Sequence, residues 1–187
     1  VKSKSWRGGQ WSGISIAPKD PLRRGRTAES AKSLRDIGEK ITKVPKGFNL
    51  HPKLLKFNST RLKAIKSGKG IDWSFAEALS FGALLKEGYK VRLAGQDSGR
   101  GTFSQRHSVF YVQKTEERYI PLNNIFKKQK ESEVIDSFLS ELGVLGFEYG
   151  YSLADPNTLV LWEAQFGDFA NGAQIIIDQF ITTGERK

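Results

Sequence analysis

The stretch KVRLAGQDSGRGT, residues 90–102, decides the fold prediction. Residues 90–94 form a short, largely apolar run, which favours a β-strand. Residues 95–102 are polar and rich in glycine, which is typical of a loop. Just before the strand, residues 73–87 show the apolar spacing of a helix, with Gly88 placed to end it. Its apolar face is predicted to hold Ala76, Leu79, Ala83 and Leu84.

The alternation of helix and strand continues along the chain. Strands are predicted at residues 133–136 and 157–163, and helices at 141–153 and 169–182. Helices that alternate with buried strands indicate an α/β fold, a mostly parallel sheet flanked by helices. Ligands bind such sheets at the carboxyl ends of the strands. We therefore expect the loops after Ala94, Asp136 and Glu163 to meet at one edge of the sheet and to form the functional site.

The first seventy residues are strongly basic. Residues 1–70 contain 18 Lys or Arg against 4 Asp or Glu, whereas residues 71–187 contain 12 against 16. Residues 1–26 are predicted to be an extended connector, with Trp6 and Trp11 as docking anchors. This division predicts a basic connector with one or two helices at 1–70 and an α/β domain at 71–187.

Two helices are predicted within the basic region. The first starts at Thr27, with Leu34, Ile37, Ile41 and Val44 on one face, and ends at Pro45 and Gly47. The second starts at Pro52 and is broken by the glycines at 68 and 70, with Leu54, Leu55, Leu62 and Ile65 as its apolar positions.

Composition excludes several kinds of protein. The chain has no cysteine, which excludes disulfides and thiolate metal sites. It has only two histidines, which argues against a His-rich metal site. No apolar run approaches the roughly 18 residues of a membrane helix, and the N-terminus lacks a signal-peptide core. We expect a protein inside the cell. The absence of methionine, even at position 1, predicts that the chain is a piece of a longer protein.

Glu141 opens the predicted helix at 141–153 and is followed by apolar or small residues. Partial desolvation by such neighbours would raise its pKa and favour a protonated carboxyl that donates a hydrogen bond. The alternative is an ordinary first-turn glutamate that interacts favourably with the helix dipole.

Two other segments hold candidate residues. The loop at 95–102 places amide, acid and guanidinium groups after a strand, and a surface turn is its simpler interpretation. The segment WEAQFGDFANGAQ, residues 162–174, contains Phe166 and Phe169, which either belong to the core or form a stacking wall for a planar ligand.

Three motifs together resemble a known enzyme family. They are GQDSGRGTFSQRH at 95–107, LSE at 139–141 with VLGFEYG at 144–150, and WEAQFGDFANGAQ at 162–174. They resemble the thiamine-diphosphate-dependent 2-oxo acid dehydrogenases, and among these the decarboxylating first component of 2-oxoglutarate dehydrogenase. The resemblance covers roughly residues 30–187 and is dense from Ile71. It implies the pyrimidine-binding type of α/β domain, truncated at its C-terminal end.

The resemblance also implies a cofactor site. Glu141 matches the glutamate that bonds the aminopyrimidine ring of thiamine diphosphate and promotes proton removal at the thiazolium carbon. Residues that would contact the cofactor are Leu139, Gln165, Phe166 and Phe169. No metal ligand is assigned here, because the family's metal-diphosphate motif is missing, so Mg²⁺ is expected to bind mainly to a domain absent from this chain.

Residues on the substrate side follow from the same motifs. The candidates are Gln96, Asp97, Arg100 and His107, since an Arg and a His suit a dicarboxylate such as 2-oxoglutarate. The alternative is that His107 and Arg106 only brace the loop. Two places depart from relatives: Phe138 stands where some have Pro, and Tyr111 and Val112 stand where some have His and Asp.

The implied activity is oxidative decarboxylation of 2-oxoglutarate in the tricarboxylic acid cycle. The succinyl group passes to a lipoyl group of a partner succinyltransferase, and the full-length enzyme is a homodimer in the bacterial cytoplasm or mitochondrial matrix. The chain alone is expected to be inactive. Three alternatives remain open: a related 2-oxo acid dehydrogenase, a basic module that binds nucleic acid or protein, and a folded piece with no binding of its own.

Overall fold

The computed structural model describes residues 8–14, 25 and 27–184. Three helices come first, α1 (Ala31–Ile41), α2 (Pro52–Ser67) and α3 (Trp73–Glu87). The strands and the fourth helix follow as β1 (Lys90–Gly95), β2 (Phe110–Tyr111), β3 (Arg118–Tyr119), β4 (Ser132–Asp136), α4 (Glu141–Ala154) and β5 (Thr158–Glu163). Short 3₁₀ turns lie at Gly9–Trp11 and Pro121–Asn124.

The sheet has three parallel strands in the order β4-β1-β5. Gly95, the last residue of the central strand, pairs in register with both Asp136 and Glu163. The three strands therefore end at the same level, and their following loops meet at one edge of the sheet. The predicted α/β class and the predicted edge are both confirmed.

Capping residues explain where the first helices begin and end. Asp72 accepts a hydrogen bond from the amide of Phe75 at 2.7 Å, which starts α3, and Gly88 ends it in the left-handed region at φ +93°. Helix α1 is shorter than predicted, because Ser30 caps its start and the hydroxyl of Thr42 bonds the carbonyl oxygen of Gly38 at its end.

The core lies between the first three helices and one face of the sheet. Its buried residues include Ile37, Ile65, Phe75, Leu85 and Val91. Helices α1 and α2, which belong to the predicted connector, thus share one core with α3. The boundary after residue 70 stays a prediction.

The predicted apolar face of α3 is only partly correct. Leu79 is buried, but Ala76, Ala83 and Leu84 are only partly buried. The other buried positions are Phe75, Phe81, Gly82 and Leu85. Apolar residues surround most of this helix, so their spacing does not identify the buried face.

The final predicted helix and strand β5 also differ from expectation. In place of a regular helix at 169–182, the chain forms 3₁₀ turns at Gly167–Ala173, one α turn at Gln174–Ile176 and a π turn at Ile177–Ile181. Glycines at 167 and 172 favour tighter turns, and Ile175, Phe180 and Ile181 are exposed, so packing on that side does not enforce α geometry. Strand β5 was expected to be a buried strand, but its Leu159 is 38% exposed.

The N-terminal connector is described only in part. Trp11 donates from its indole nitrogen to the carbonyl oxygen of Leu153 in α4 at 2.6 Å, as expected of a docking anchor. Trp6 and most of the predicted extended segment lie outside the described residues.

Candidate functional site

The loops after β1, β4 and β5 are joined to one another at the sheet edge. The amide of Ser137 donates to the carbonyl oxygen of Gly95 at 2.6 Å, and the amide of Gly99 donates to the carboxylate of Asp136 at 2.8 Å. A Cβ atom at Gly95 would lie 2.5 Å from the carbonyl oxygen of Glu163. The close approach of these loops therefore depends on the absence of a side chain at Gly95.

Glu141 stands at this edge as the first residue of α4. Ser140 caps the helix by accepting a hydrogen bond from the amide of Gly143 at 3.3 Å. The side-chain amide of Gln96 donates to Oε1 of Glu141 at 3.0 Å. The other oxygen, Oε2, faces the turn after β5, because a Cβ atom at Gly172 would lie 3.6 Å from it. The structure thus brings together Gln96, Glu141 and the 3₁₀ segment that contains Phe169.

The expected rise in the pKa of Glu141 is wrong for this chain. Its pKa is lowered, first by a hydrogen bond from its own backbone amide and then by the one from Gln96, with burial acting weakly in the opposite direction. The reason is geometric: the apolar neighbour Leu142 points to solvent and does not cover the carboxylate. The carboxylate therefore stays hydrated and ionised at neutral pH.

Three phenylalanine rings lie beside the loops. The rings of Phe166 and Phe169 meet edge to face with centroids 5.8 Å apart, and Phe103 meets Phe166 in the same way at 5.8 Å. Phe166 is 46% exposed and Phe169 is 40% exposed, so the interpretation of these two residues as core is wrong. Phe103 was not among the predicted site residues, although it belongs to the RGTF part of the first motif.

Gln165 and Leu139 line two separate cavities at the edge. Gln165 and Phe166 line one of about 210 Å³ together with Thr102 and Phe103. Leu139, which is 51% exposed, lines one of about 200 Å³ between β4 and α4. The adjacent Phe138 is fully exposed.

The substrate-side candidates divide into two groups. Gln96 contacts Glu141, whereas Asp97 pairs with Arg100, whose guanidinium also donates to the hydroxyl of Ser104 at 2.5 Å. His107 points toward α2, where its ring meets the ring of Phe57 edge to face at 5.4 Å. Burial lowers the pKa of His107, and the positive charges of Arg61 and Arg100 lower it further.

Arg106 braces the loop, as the alternative interpretation proposed for it. It is 6% exposed, and its guanidinium binds both carboxylate oxygens of Glu163 at 2.6 Å, Glu77 at 2.7 Å and the carbonyl oxygen of Ser98 at 3.0 Å. Burial lowers the pKa of Arg106, but the hydrogen bonds that it donates to the carboxylates of Glu163 and Glu77 outweigh this effect, and the net shift is upward. Glu163 is therefore engaged as a structural partner.

The loop as a whole is more rigidly packed than a surface turn. Ser98 is 1% exposed, and Gly101 and Arg106 are buried. Ser104 and His107 take left-handed backbone angles, at φ +55° and +45°, which non-glycine residues adopt only when surrounding contacts hold them. The interpretation as a surface turn is wrong, because the buried Arg106 fastens the loop to Glu77 of α3 and Glu163 of β5.

Two further searches cover the described part of the chain. Within residues 8–14, 25 and 27–184, no group of three or more His, Asp or Glu side chains is arranged to hold a metal ion. Among the helices of the same residues, none has the length and apolar character needed to cross a membrane.

Comparison with known proteins gives two findings. Residues 69–187 match the family described as the pyrimidine-binding domain of transketolase. The chain is also 57% identical, over 97% of its length, to the 2-oxoglutarate dehydrogenase E1 component of Brucella anthropi, of which the match covers 18%. The corresponding proteins of Brucella canis and Brucella suis are 56% identical with the same coverage. The chain thus spans about 18% of the length of these curated relatives.

Proposed function

The chain belongs to the transketolase pyrimidine-binding-domain family, and on that basis we propose that it forms the pyrimidine side of a thiamine diphosphate site in a 2-oxoglutarate dehydrogenase. This agrees with the family resemblance of its motifs. One observation carries the proposal: the carboxylate of Glu141, oriented by Gln96, lies at the carboxyl edge of the sheet next to the segment that holds Phe169.

The residues present fit an aminopyrimidine ring. Such a ring is flat, apolar on its faces and polar at its edge. The half-exposed rings of Phe166 and Phe169 offer apolar surface for stacking. Glu141 offers a carboxyl for the polar edge, and Leu139, two residues earlier, offers an apolar contact to the cofactor. Gln165 completes the proposed cofactor-binding group.

Glu141 is the proposed catalytic residue. Thiamine diphosphate, when bound, supplies an electron sink for the decarboxylation of a 2-oxo acid. The role of Glu141 is to hold a proton between its carboxyl and a ring nitrogen. A ring over the carboxylate would exclude water and raise its pKa from the lowered state of the chain alone. That shift would let the carboxyl share the proton that acid–base catalysis requires.

The loop after β1 is proposed to face the substrate. Arg100 is half-exposed and held by Asp97, so a substrate carboxylate can approach its guanidinium. Gln96 and His107 complete the group. The proposed substrate is 2-oxoglutarate, and the proposed acceptor is the lipoyl group of a succinyltransferase partner. Mg²⁺ would be bound by residues outside this chain.

Exposed apolar side chains support a homodimer of the full-length protein, which we place in the bacterial cytoplasm. They occur on α4, next to it and on the last helical turns, at Phe138, Leu142, Phe147, Leu153, Ile175 and Phe180. Exposed apolar side chains such as these are what a subunit interface would cover. Closure by a second subunit would also supply the water exclusion that Glu141 lacks in the chain alone.

The deciding experiment compares Glu141→Gln with the unaltered protein in the full-length enzyme that carries this chain. Gln cannot share a proton as a carboxyl does, so decarboxylation of 2-oxoglutarate should fall at least about a hundredfold. The matched control is Glu117→Gln, at an exposed position in the turn between β2 and β3. Near-normal turnover in Glu141→Gln would refute the assignment. Rates with several 2-oxo acids would separate 2-oxoglutarate from a related substrate.

A further inference from the structure

Arg61 connects helix α2 to the substrate-side loop, although it precedes residue 69, where the family match begins. It is 8% exposed. Its guanidinium donates to the carbonyl oxygen of Gln105 at 3.0 Å and, at a longer 3.4 Å, to that of Arg106. It also donates to the hydroxyl of Ser74 in α3 at 2.8 Å. One side chain thus holds two helices and the loop together.

Aromatic rings surround the same guanidinium. It lies over Phe57 at 4.0 Å and over Phe75 at 5.2 Å from the ring centroids. Phe57 is the ring that meets His107 edge to face. Burial lowers the pKa of Arg61 to about 10, so the group remains charged at neutral pH. Removing a cation from water costs free energy, and here the hydrogen bonds to the backbone of the loop offset part of that cost.

The loop needs such a contact to keep its shape. The amides of Arg106 and His107 both donate to the carbonyl oxygen of Arg100 at 3.0 Å. This tight turn includes the left-handed residues Ser104 and His107. Arg61 holds the carbonyls at 105 and 106, immediately before His107, and thereby restricts the direction of its side chain.

We propose that Arg61 is a positioning residue for the substrate side of the site, fixing the backbone at 105–106 and orienting His107 from a helix outside the matched domain. The functional part rests on the proposed function, since it assumes that the loop that carries His107 faces the substrate. The structural part, that α2 sets the conformation of the loop, is independent of it.

His107 reports directly on this arrangement. The charged groups that face it are Arg61 from α2 and Arg100 and Asp97 from the loop. Burial and the two arginines lower its pKa, whereas Ser104 and Asp97 act in the opposite direction. Loss of Arg61 would remove a cation and loosen the burial, so both effects would raise the pKa of His107.

The test uses Arg61→Met and Arg61→Lys in the 187-residue chain, with Lys63→Met, on the exposed side of α2, as the matched control. Amide hydrogen exchange is measured at Arg106 and His107, and the ring of His107 is titrated by NMR. Its signal is assigned by its loss in His107→Gln, since His51 is the only other histidine. Exchange in β1 reports whether the fold is kept.

Arg61→Met should accelerate exchange at Arg106 and His107 at least about tenfold relative to Lys63→Met and raise the pKa of His107. Arg61→Lys keeps the charge but cannot reach both carbonyls, so exchange should accelerate while the pKa stays lowered. If Arg61→Met does not fold, Arg61→Lys decides. Unchanged loop exchange in the folded variants would overturn the proposal.

Enzyme kinetics separate this inference from the proposed function. In the full-length enzyme, Arg61→Lys should raise KM for 2-oxoglutarate more than it lowers kcat, because the loop contacts substrate and Glu141 is untouched. Near-normal turnover in Glu141→Gln would refute the proposed function and leave the loop measurements standing. Unchanged exchange in the Arg61 variants would refute the inference while the role of Glu141 remained intact.

Discussion

On one side of the candidate site, buried arginines fasten the loop at residues 95–108, whereas on the other side the aromatic residues after β5 lie half-exposed. The guanidinium of Arg106 donates hydrogen bonds to Glu77, to Glu163 and to a backbone carbonyl oxygen, all within this chain. Phe169 is 40% exposed, and the turns that follow it are irregular. The proposed substrate side therefore takes its shape from the chain itself, and the proposed cofactor side presents surface that is still open.

The difference has a physical origin. A loop of polar residues at a sheet edge gains order only when its backbone groups and charges find partners, and here the partners come from α2, α3 and β5. Aromatic side chains gain order by burial, which the described residues do not give to Phe166 and Phe169. We infer that ligand and subunit contacts would stabilise the cofactor side more than the substrate side.

The largest expected effect is the loss of the Arg106 contacts. Arg106→Met would leave Glu77 and Glu163 as partly buried carboxylates without their cation. We expect the free energy of unfolding to fall by about 3 kcal/mol, the usual cost of breaking a buried ion pair from one side. Urea denaturation of the chain measures it.

Arg118→Met is the control, because Arg118 is exposed in the β2–β3 hairpin. The free energy of unfolding of Arg118→Met should fall by no more than about 0.5 kcal/mol. A similarly small loss in Arg106→Met would break the comparison, since it would mean that the loop does not depend on this network.

A smaller effect is expected at the backbone contact between the loops. Gly95→Ala would place a Cβ atom 2.5 Å from the carbonyl oxygen of Glu163. The two strands would have to shift, at a cost of about 2 kcal/mol in the free energy of unfolding. Thermal or urea unfolding checks this.

Gly150→Ala is the matched substitution at an exposed position. Gly150 lies within α4, and a Cβ atom there would have no neighbour within 4 Å. Alanine favours the helix over glycine, so this variant should be more stable by about 0.5 to 1 kcal/mol. Equal effects of both substitutions would show that the close approach at Gly95 is relaxed without cost.

Sequence alone predicted the elements whose ends have local causes. Pro52 starts α2, and Asp72 and Gly88 bound α3, because caps and breakers act within a few residues. The common edge of the three strands followed from the parallel pattern. The two-residue strands of the β2–β3 hairpin were not predicted, since such short strands carry no detectable periodicity.

The electrostatics of the site could not be predicted in the same way. Arg61 bonds a residue 44 positions away, and Arg106 bonds one 57 positions away, so these contacts exist only after folding. Of the two interpretations of Glu141, the lowered pKa agrees with a first-turn glutamate and not with a desolvated one, because the sequence shows which residues are adjacent but not which of them cover the carboxylate. Long-range contacts and the direction of side chains decide both features.

The smallest expected effect concerns the pH dependence of Glu141 in the chain alone. Its folded-state pKa lies below the unfolded value, so its contribution to stability is complete above the unfolded pKa and is lost as pH falls through the folded pKa. Glu141→Gln should therefore be slightly less stable than the unaltered chain at neutral pH and equally stable once the carboxyl is protonated. Carbon-13 NMR of the carboxyl gives the direction of the shift.

Repeating that titration in the full-length enzyme with thiamine diphosphate bound sharpens the comparison between the two sides. If the ring covers Glu141, the pKa of the carboxyl should move from below its ordinary value to above it, because water is excluded and the protonated form gains a partner. The pKa of His107 should change far less, since its neighbours are already in place. A carboxyl that stayed as acidic as in the chain alone would mean that Glu141 remains a hydrated first-turn residue, with its charge held by the start of α4 and by Gln96.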